Sequence, residues 1–156
     1  MTTYRAMKRI NRGFTLTELM VSVALVAVLA SIATPSFTTF IEGQRVKGTA
    51  SDLHTSLTRA RSEAIKRGLS ITLNPKAGNW ASGWQIADPV SGEVIEDHAA
   101  ISGLTLSGPA SVTYRNSGRI AGNTDANFNI VGTDTTQARC IRLDLGGRPS
   151  VKASSC

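Results

Sequence analysis

The residues of this chain best suited to specific chemistry lie near its C-terminus. Arg139, Arg142, Arg148 and Lys152 are opposed by Asp144 alone, a local balance of +3 over 14 residues. Cationic side chains at this density neutralise phosphates, so the chemistry on offer is binding of a nucleic-acid backbone, with affinity that falls as ionic strength rises. Gly146-Gly147-Arg148-Pro149 reads as a turn that projects Arg148 from a loop tip, where binding residues concentrate. A bare turn with incidental surface charge is the alternative. Catalytic constellations are not legible: there is no Gly-x-Ser-x-Gly elbow, no phosphate-binding glycine loop and no His-Glu-x-x-His, while His54 and His98 stand apart. No enzyme, metal site or cofactor is expected. The basic face around Arg59, Lys66 and Arg67 reads as solvated helix surface rather than a phosphate site.

A second chemically unusual residue is Glu18, a carboxylate inside the apolar run Phe14 to Ala33. These 20 residues, at about 1.5 Å each, span the roughly 30 Å bilayer core as a helix. Arg5, Lys8, Arg9 and Arg12 precede the run without an acidic residue, which keeps that flank cytoplasmic. A secretory signal has a shorter apolar core and a small-residue cleavage site after it, whereas here the small residue, Gly13, comes first. A plain anchor fits the length but not Glu18, since an intramembrane carboxylate costs on the order of 3 kcal/mol and usually marks function.

Helical and extended elements must position these groups. Val46, Ala50, Leu53, Leu57, Ala60 and Ala64 form one apolar stripe, Arg59, Glu63 and Arg67 follow i, i+4 on another face, and Gly68 is a C-terminal stop. Pro35 predicts a kink, and Gly43 and Gly48 a bend or loosening. Beyond Gly68, strands are predicted at Ser70–Leu73, Gly83–Ala87, Val94–Asp97, Leu104–Ser107, Val112–Arg115, Phe128–Val131 and Arg139–Leu145, punctuated by Pro and Gly turns. Trp80 and Trp84 read as core or rim aromatics rather than a base-stacking platform. The expected fold is α+β, with one long helix packed on a small antiparallel sheet.

Arg12-Gly13-Phe14-Thr15-Leu16-Thr17-Glu18-Leu19 resembles the processing site of class III prepilins, the precursors of type IV pilins and type II secretion pseudopilins. The resemblance implies cleavage between Gly13 and Phe14, N-methylation of Phe14, and an assembly role for Glu18, whose carboxylate would meet the amino terminus of a neighbouring subunit. Ala60-Arg61-Ser62-Glu63-Ala64-Ile65-Lys66-Arg67-Gly68, with Gly83-Trp84, is similar to the GspH/FimT/FimU branch, the minor pseudopilins and minor pilins. FimT-type minor pilins carry a Gly-Arg-x-Arg motif that contacts DNA during natural transformation. This chain has Gly147-Arg148-Pro149-Ser150, so the second arginine is missing and Lys152 is the nearest substitute, without the guanidinium fork.

The expected organisation is a basic leader over 1–13, a transmembrane and filament-core helix over 14–34, an amphipathic helix over 35–68 and a periplasmic β-rich head over 69–156. Cys140 and Cys156 are the only cysteines and should pair in an oxidising periplasm, two free thiols being the alternative. Of the net charge of +6 the leader holds four, leaving +2 on the chain from Phe14 onward, so global charge makes no case for nucleic acid. Three functions follow: a minor pilin that helps start type IV pilus assembly, a pseudopilin of type II secretion, and a pilus-borne DNA receptor for uptake. Expected partners are prepilin peptidase, other pilins or pseudopilins, the inner-membrane assembly platform and DNA. The expected location is the bacterial inner membrane, single-pass with the head periplasmic, and then the filament.

Overall fold

The stripe at 46–64 explains why the second half of the long helix forms. In the computed structural model, which describes residues 13–122, 125–133 and 137–156 and the side chains of all but 32–36 among them, α1 runs from Leu16 to Arg67. All six stripe residues are at most 2% exposed. The leader cations Arg5, Lys8, Arg9 and Arg12 lie outside the described residues. The helix carries through Pro35, Gly43 and Gly48 without the interruption expected there. One proline deletes a single N–H from the ladder, and a helical glycine costs only about 1 kcal/mol. Burial of the stripe outweighs the glycine cost, and a Cβ at Gly43 would meet Gln137 Oε1 only at an ordinary contact distance of 3.5 Å.

The chain divides into two compact units between Phe37 and Thr38. In the first, Leu16, Leu19, Met20, Val21, Val23, Leu25, Val26, Val28 and Leu29 are all exposed, so apolar side chains surround much of this part of the helix. Among the described residues no helix is long and apolar enough to cross a membrane. The run read as a span begins two residues ahead of α1 and ends among positions whose side chains lie outside the described set.

The second unit packs residues 38–67 of α1 against two sheets, where one was expected. Eight strands follow the helix: β1 (Ile71–Pro75), β2 (Trp84–Ala87), β3 (Val94–Asp97), β4 (Leu104–Ser107), β5 (Val112–Tyr114), β6 (Ala126–Gly132), β7 (Ala138–Leu143) and β8 (Pro149–Lys152). Their orders are β3-β2-β1-β5 and β4-β6-β7-β8, with every pair antiparallel. Alternation buries one face of each: Ile71, Leu73, Trp84, Ile86 and Tyr114 in the first, Phe128, Ile130, Ile141 and Leu143 in the second. These join the helix stripe in one core.

The end of α1 is tied down electrostatically. Arg67 Nε donates to Glu63 Oε2 at 2.6 Å, and Arg67 Nη1 donates to Asp88, whose other oxygen accepts the Val90 and Ser91 amides. Arg59 pairs instead with Glu96 on β3. Arg67 holds the Glu63 carboxyl below its ordinary 4.5, and the Ser91 and Val90 amides, then Arg67, hold Asp88 below 3.8. Depressed carboxylate values stabilise the fold above the unfolded values, and that contribution is lost as pH falls through the folded ones. The melting temperature should therefore hold from pH 7 to about pH 5 and drop below the ordinary 4.5 and 3.8. Arg67→Ala should melt lower at pH 7 and converge on the parent in acid, as read by circular dichroism.

Candidate nucleic-acid interface

The C-terminal basic residues lie on a hairpin made by β7 and β8. The register pairs Cys140 with Lys152, Ile141 with Val151, Arg142 with Ser150 and Leu143 with Pro149. Directly opposed residues share a face, so Arg142 and Lys152 lie on one side and Ile141 and Leu143 on the core side. Arg139 has the parity of Ile141. Half-buried, it lines a cavity of about 270 Å³ with Lys47, Ser51, His54 and Val151. The four cations expected to act together are thus split by strand alternation.

Neutralisation divides them again. Arg142 Nη2 is 3.0 Å from Asp125 Oδ2, so Asp144 is not the only acid serving this stretch. Arg148 and Lys152 are exposed, and among the described residues neither has a carboxylate within ion-pair distance. They lie four positions apart in the chain, about 13 Å at 3.3 Å per step when extended. β8 is not among the strands expected from sequence, because it is a short edge strand opened by Pro149 and buries little. Cys140 and Cys156 are joined in a disulfide that fixes the tail beyond β8 to β7. A loop of this length contributes about 3 kcal/mol on the chain-entropy account.

The turn carrying Arg148 is held from inside. Asp144 Oδ1 accepts the Arg148 amide at 2.9 Å and the Asp144 carbonyl accepts the Gly147 amide at 2.9 Å. Gly147 is buried at φ 76°, and a Cβ there would stand 2.2 Å from the Gly118 carbonyl oxygen. Only glycine fits this close approach. Gly118 belongs to a second turn, Arg115 to Arg119, and its carbonyl accepts Arg61 Nε from α1 at 3.0 Å. Tyr114 lies buried beside these turns, and burial pushes its hydroxyl well above the ordinary tyrosine value. Arg61, Arg115 and Arg119, absent from the sequence reading of the site, are therefore neighbours of the Arg148 turn. The available signal was Ser117-Gly118 between two arginines, a turn dipeptide whose neighbour in space lies about thirty residues away in sequence.

Among the described residues no base-stacking platform accompanies the charge. Trp80 is buried, meets Phe128 edge-on at 4.8 Å and donates to the Pro109 carbonyl at 2.7 Å. Trp84 is fully buried and stacks on His98 at 3.8 Å.

At the other end of the chain, Gly13 and Phe14 are exposed and precede α1, and nothing lies within 4 Å of where a Gly13 Cβ would be. Glu18 has a local role that sequence reading missed. Its amide donates to Thr15 Oγ1 at 3.2 Å and its Oε2 accepts the Thr15 amide at 3.2 Å, the reciprocal bonds of a capping box. The signal was Thr15-x-x-Glu18 ahead of an apolar run.

A family model described as type II transport protein GspH matches residues 49–147, and one for the prokaryotic N-terminal methylation motif matches residues 8–34. No curated protein sequence matches the chain. Among solved structures it is similar to the type IV minor pilin FimU of Pseudomonas aeruginosa in two crystal forms. In space group P21 the TM-score is 0.63 at 24% identity, covering 72% of this chain and 92% of that one. In P65 the TM-score is 0.59 at 24% identity, covering 68% and 91%. At that identity the likeness speaks for the fold.

Proposed function

The chain belongs to the GspH family, whose matching model covers residues 49–147, and from that premise we propose that it is a minor pilin of a type IV pilus. Its leader is removed between Gly13 and Phe14, Phe14 is N-methylated, and the apolar helix passes from the inner membrane into the filament core. The observation that carries this reading is the pairing of an N-terminal methylation motif with a FimU-like fold in one chain. Prepilin peptidase, the other pilins and the inner-membrane assembly platform are its partners. Pro35-Ser36-Phe37 resembles pilus subunits more than the secretion subunit. The GspH description favours a second reading, a minor pseudopilin of type II secretion.

The further proposal is contact with DNA through Arg148 and Lys152. The unneutralised pair on the disulfide-bounded hairpin supports it, whereas Arg142 is paired with Asp125 and Arg139 belongs to the core-facing side. Shearing the filaments and probing them for this chain tests the pilus reading. It should be present at low copy, and its deletion should reduce piliation. Unchanged piliation with loss of protein secretion would instead assign it to the secretion pseudopilus.

A further inference from the structure

The turn beside the hairpin holds an arrangement that folding alone disfavours. Arg115 N donates to the Arg119 carbonyl at 2.8 Å, and the neighbouring residues Tyr114 and Ile120 form an antiparallel bridge. Arg115 and Arg119 are therefore directly opposed across a two-stranded turn, both exposed. Opposed residues have Cβ atoms about 5 Å apart, and like charges in that position destabilise the pairing. Among the described residues neither guanidinium has a carboxylate within ion-pair distance, although Arg59, Arg67, Lys76 and Arg142 elsewhere in the same unit all do.

The pair does not stand alone. Close contact of Gly147 with the Gly118 carbonyl sets the Arg115–Arg119 turn against the Arg148 turn, and Arg61 Nε fastens Gly118 to α1. Between the turns opens a cavity of about 330 Å³ lined by Arg115, Arg119, Ile120, Gly122 and Leu145, the last contributed by the hairpin. A guanidinium presents its donors in a planar fork that matches phosphate oxygens. Two opposed arginines beside a recess, with no carboxylate partner among the described residues, are suited to an anion that arrives from outside.

We infer that Arg115 and Arg119 form a second phosphate-contact point, continuous with Arg148, so that a nucleic-acid backbone is gripped across both turns rather than by the C-terminal hairpin alone. This rests on the reading of the hairpin as a DNA contact and enlarges it. Two further phosphate contacts raise the dependence of binding on salt, because each releases condensed counterions.

The test is a salt titration of duplex DNA binding by the full chain in detergent, comparing the parent with Arg115→Ala/Arg119→Ala, Arg115→Lys/Arg119→Lys and Arg148→Ala/Lys152→Ala, all checked for parental melting. The first variant should bind about tenfold or more weakly at low salt, with the log–log slope reduced by about 2. The lysine variant should recover most of the slope, since it keeps the charge. Parental affinity and slope in Arg115→Ala/Arg119→Ala overturn the inference while a loss in Arg148→Ala/Lys152→Ala leaves the hairpin reading standing. The opposite pattern removes the hairpin and keeps the second turn. No binding by the parent rejects both.

Discussion

Glu18→Ala should leave membrane insertion intact and remove the chain from filaments, and Glu18→Gln should do the same although it keeps the helix cap. The two variants separate two roles of one residue. Glu18 completes a capping box with Thr15 through bonds of 3.2 Å in each direction. A glutamine at this position serves a capping box as well as a glutamate does. The second role, the one proposed, needs the charge: in a packed filament the carboxylate would be buried in an apolar surround and tolerated only with a cationic partner, which the amino terminus of an adjacent subunit would supply. Breaking a buried pair by removing one partner costs roughly 3–5 kcal/mol, a hundredfold or more in an equilibrium. Loss of the cap alone costs about 1 kcal/mol. Immunoblots of sheared and membrane fractions read both. Filament levels of Glu18→Gln equal to the parent would reduce Glu18 to a helix cap and remove the assembly role.

Trp84→Ala should destabilise the second unit by about 3–5 kcal/mol, the usual range for emptying a buried aromatic site. This is a large fraction of the roughly 5–15 kcal/mol that holds a domain of ordinary stability together. Trp84 is fully buried on β2, stacks on His98 just after β3 and donates from Nε1 to Ser56 Oγ on α1 at 2.8 Å. Ser56 in turn donates to Glu96 on β3. One side chain thus joins helix and sheet in apolar and polar terms together. Trp84→Phe should cost less by filling most of the space, yet leaves the Ser56 hydroxyl without the indole donor, for a loss of about 1–3 kcal/mol. Chemical denaturation of the purified chain measures both. A midpoint for Trp84→Ala within error of the parent would remove Trp84 from the core of the account.

The helix stripe from Val46 to Ala64 was fully legible, because a 3.6-residue period needs no partner to be seen and all six residues are buried. Seven of the strands were also close to the observed ranges, since turn residues bracket them. β8 was hidden by its proline and its exposed edge position. Division into two sheets was not legible, because β5 crosses back to β1 and β4 joins β6, pairings of distant segments that no local pattern encodes. The basic site shows the same limit. Adjacency in sequence grouped Arg139, Arg142, Arg148 and Lys152, but strand alternation turned Arg139 inward and Asp125 arrived from another strand's approach to pair with Arg142. Contact between Gly147 and Gly118 then supplied Arg115 and Arg119, which composition alone gave no reason to join to Arg148.

The central claim is that this chain is processed at Gly13-Phe14 and built into a filament through its apolar helix. Mass spectrometry of the N-terminal peptide recovered from sheared filaments tests it most directly. The account predicts a peptide that begins at Phe14 and carries one additional methyl group on its amino terminus. Recovery of the chain only from membranes, with residues 1–13 still attached and none in the filament fraction, would contradict it.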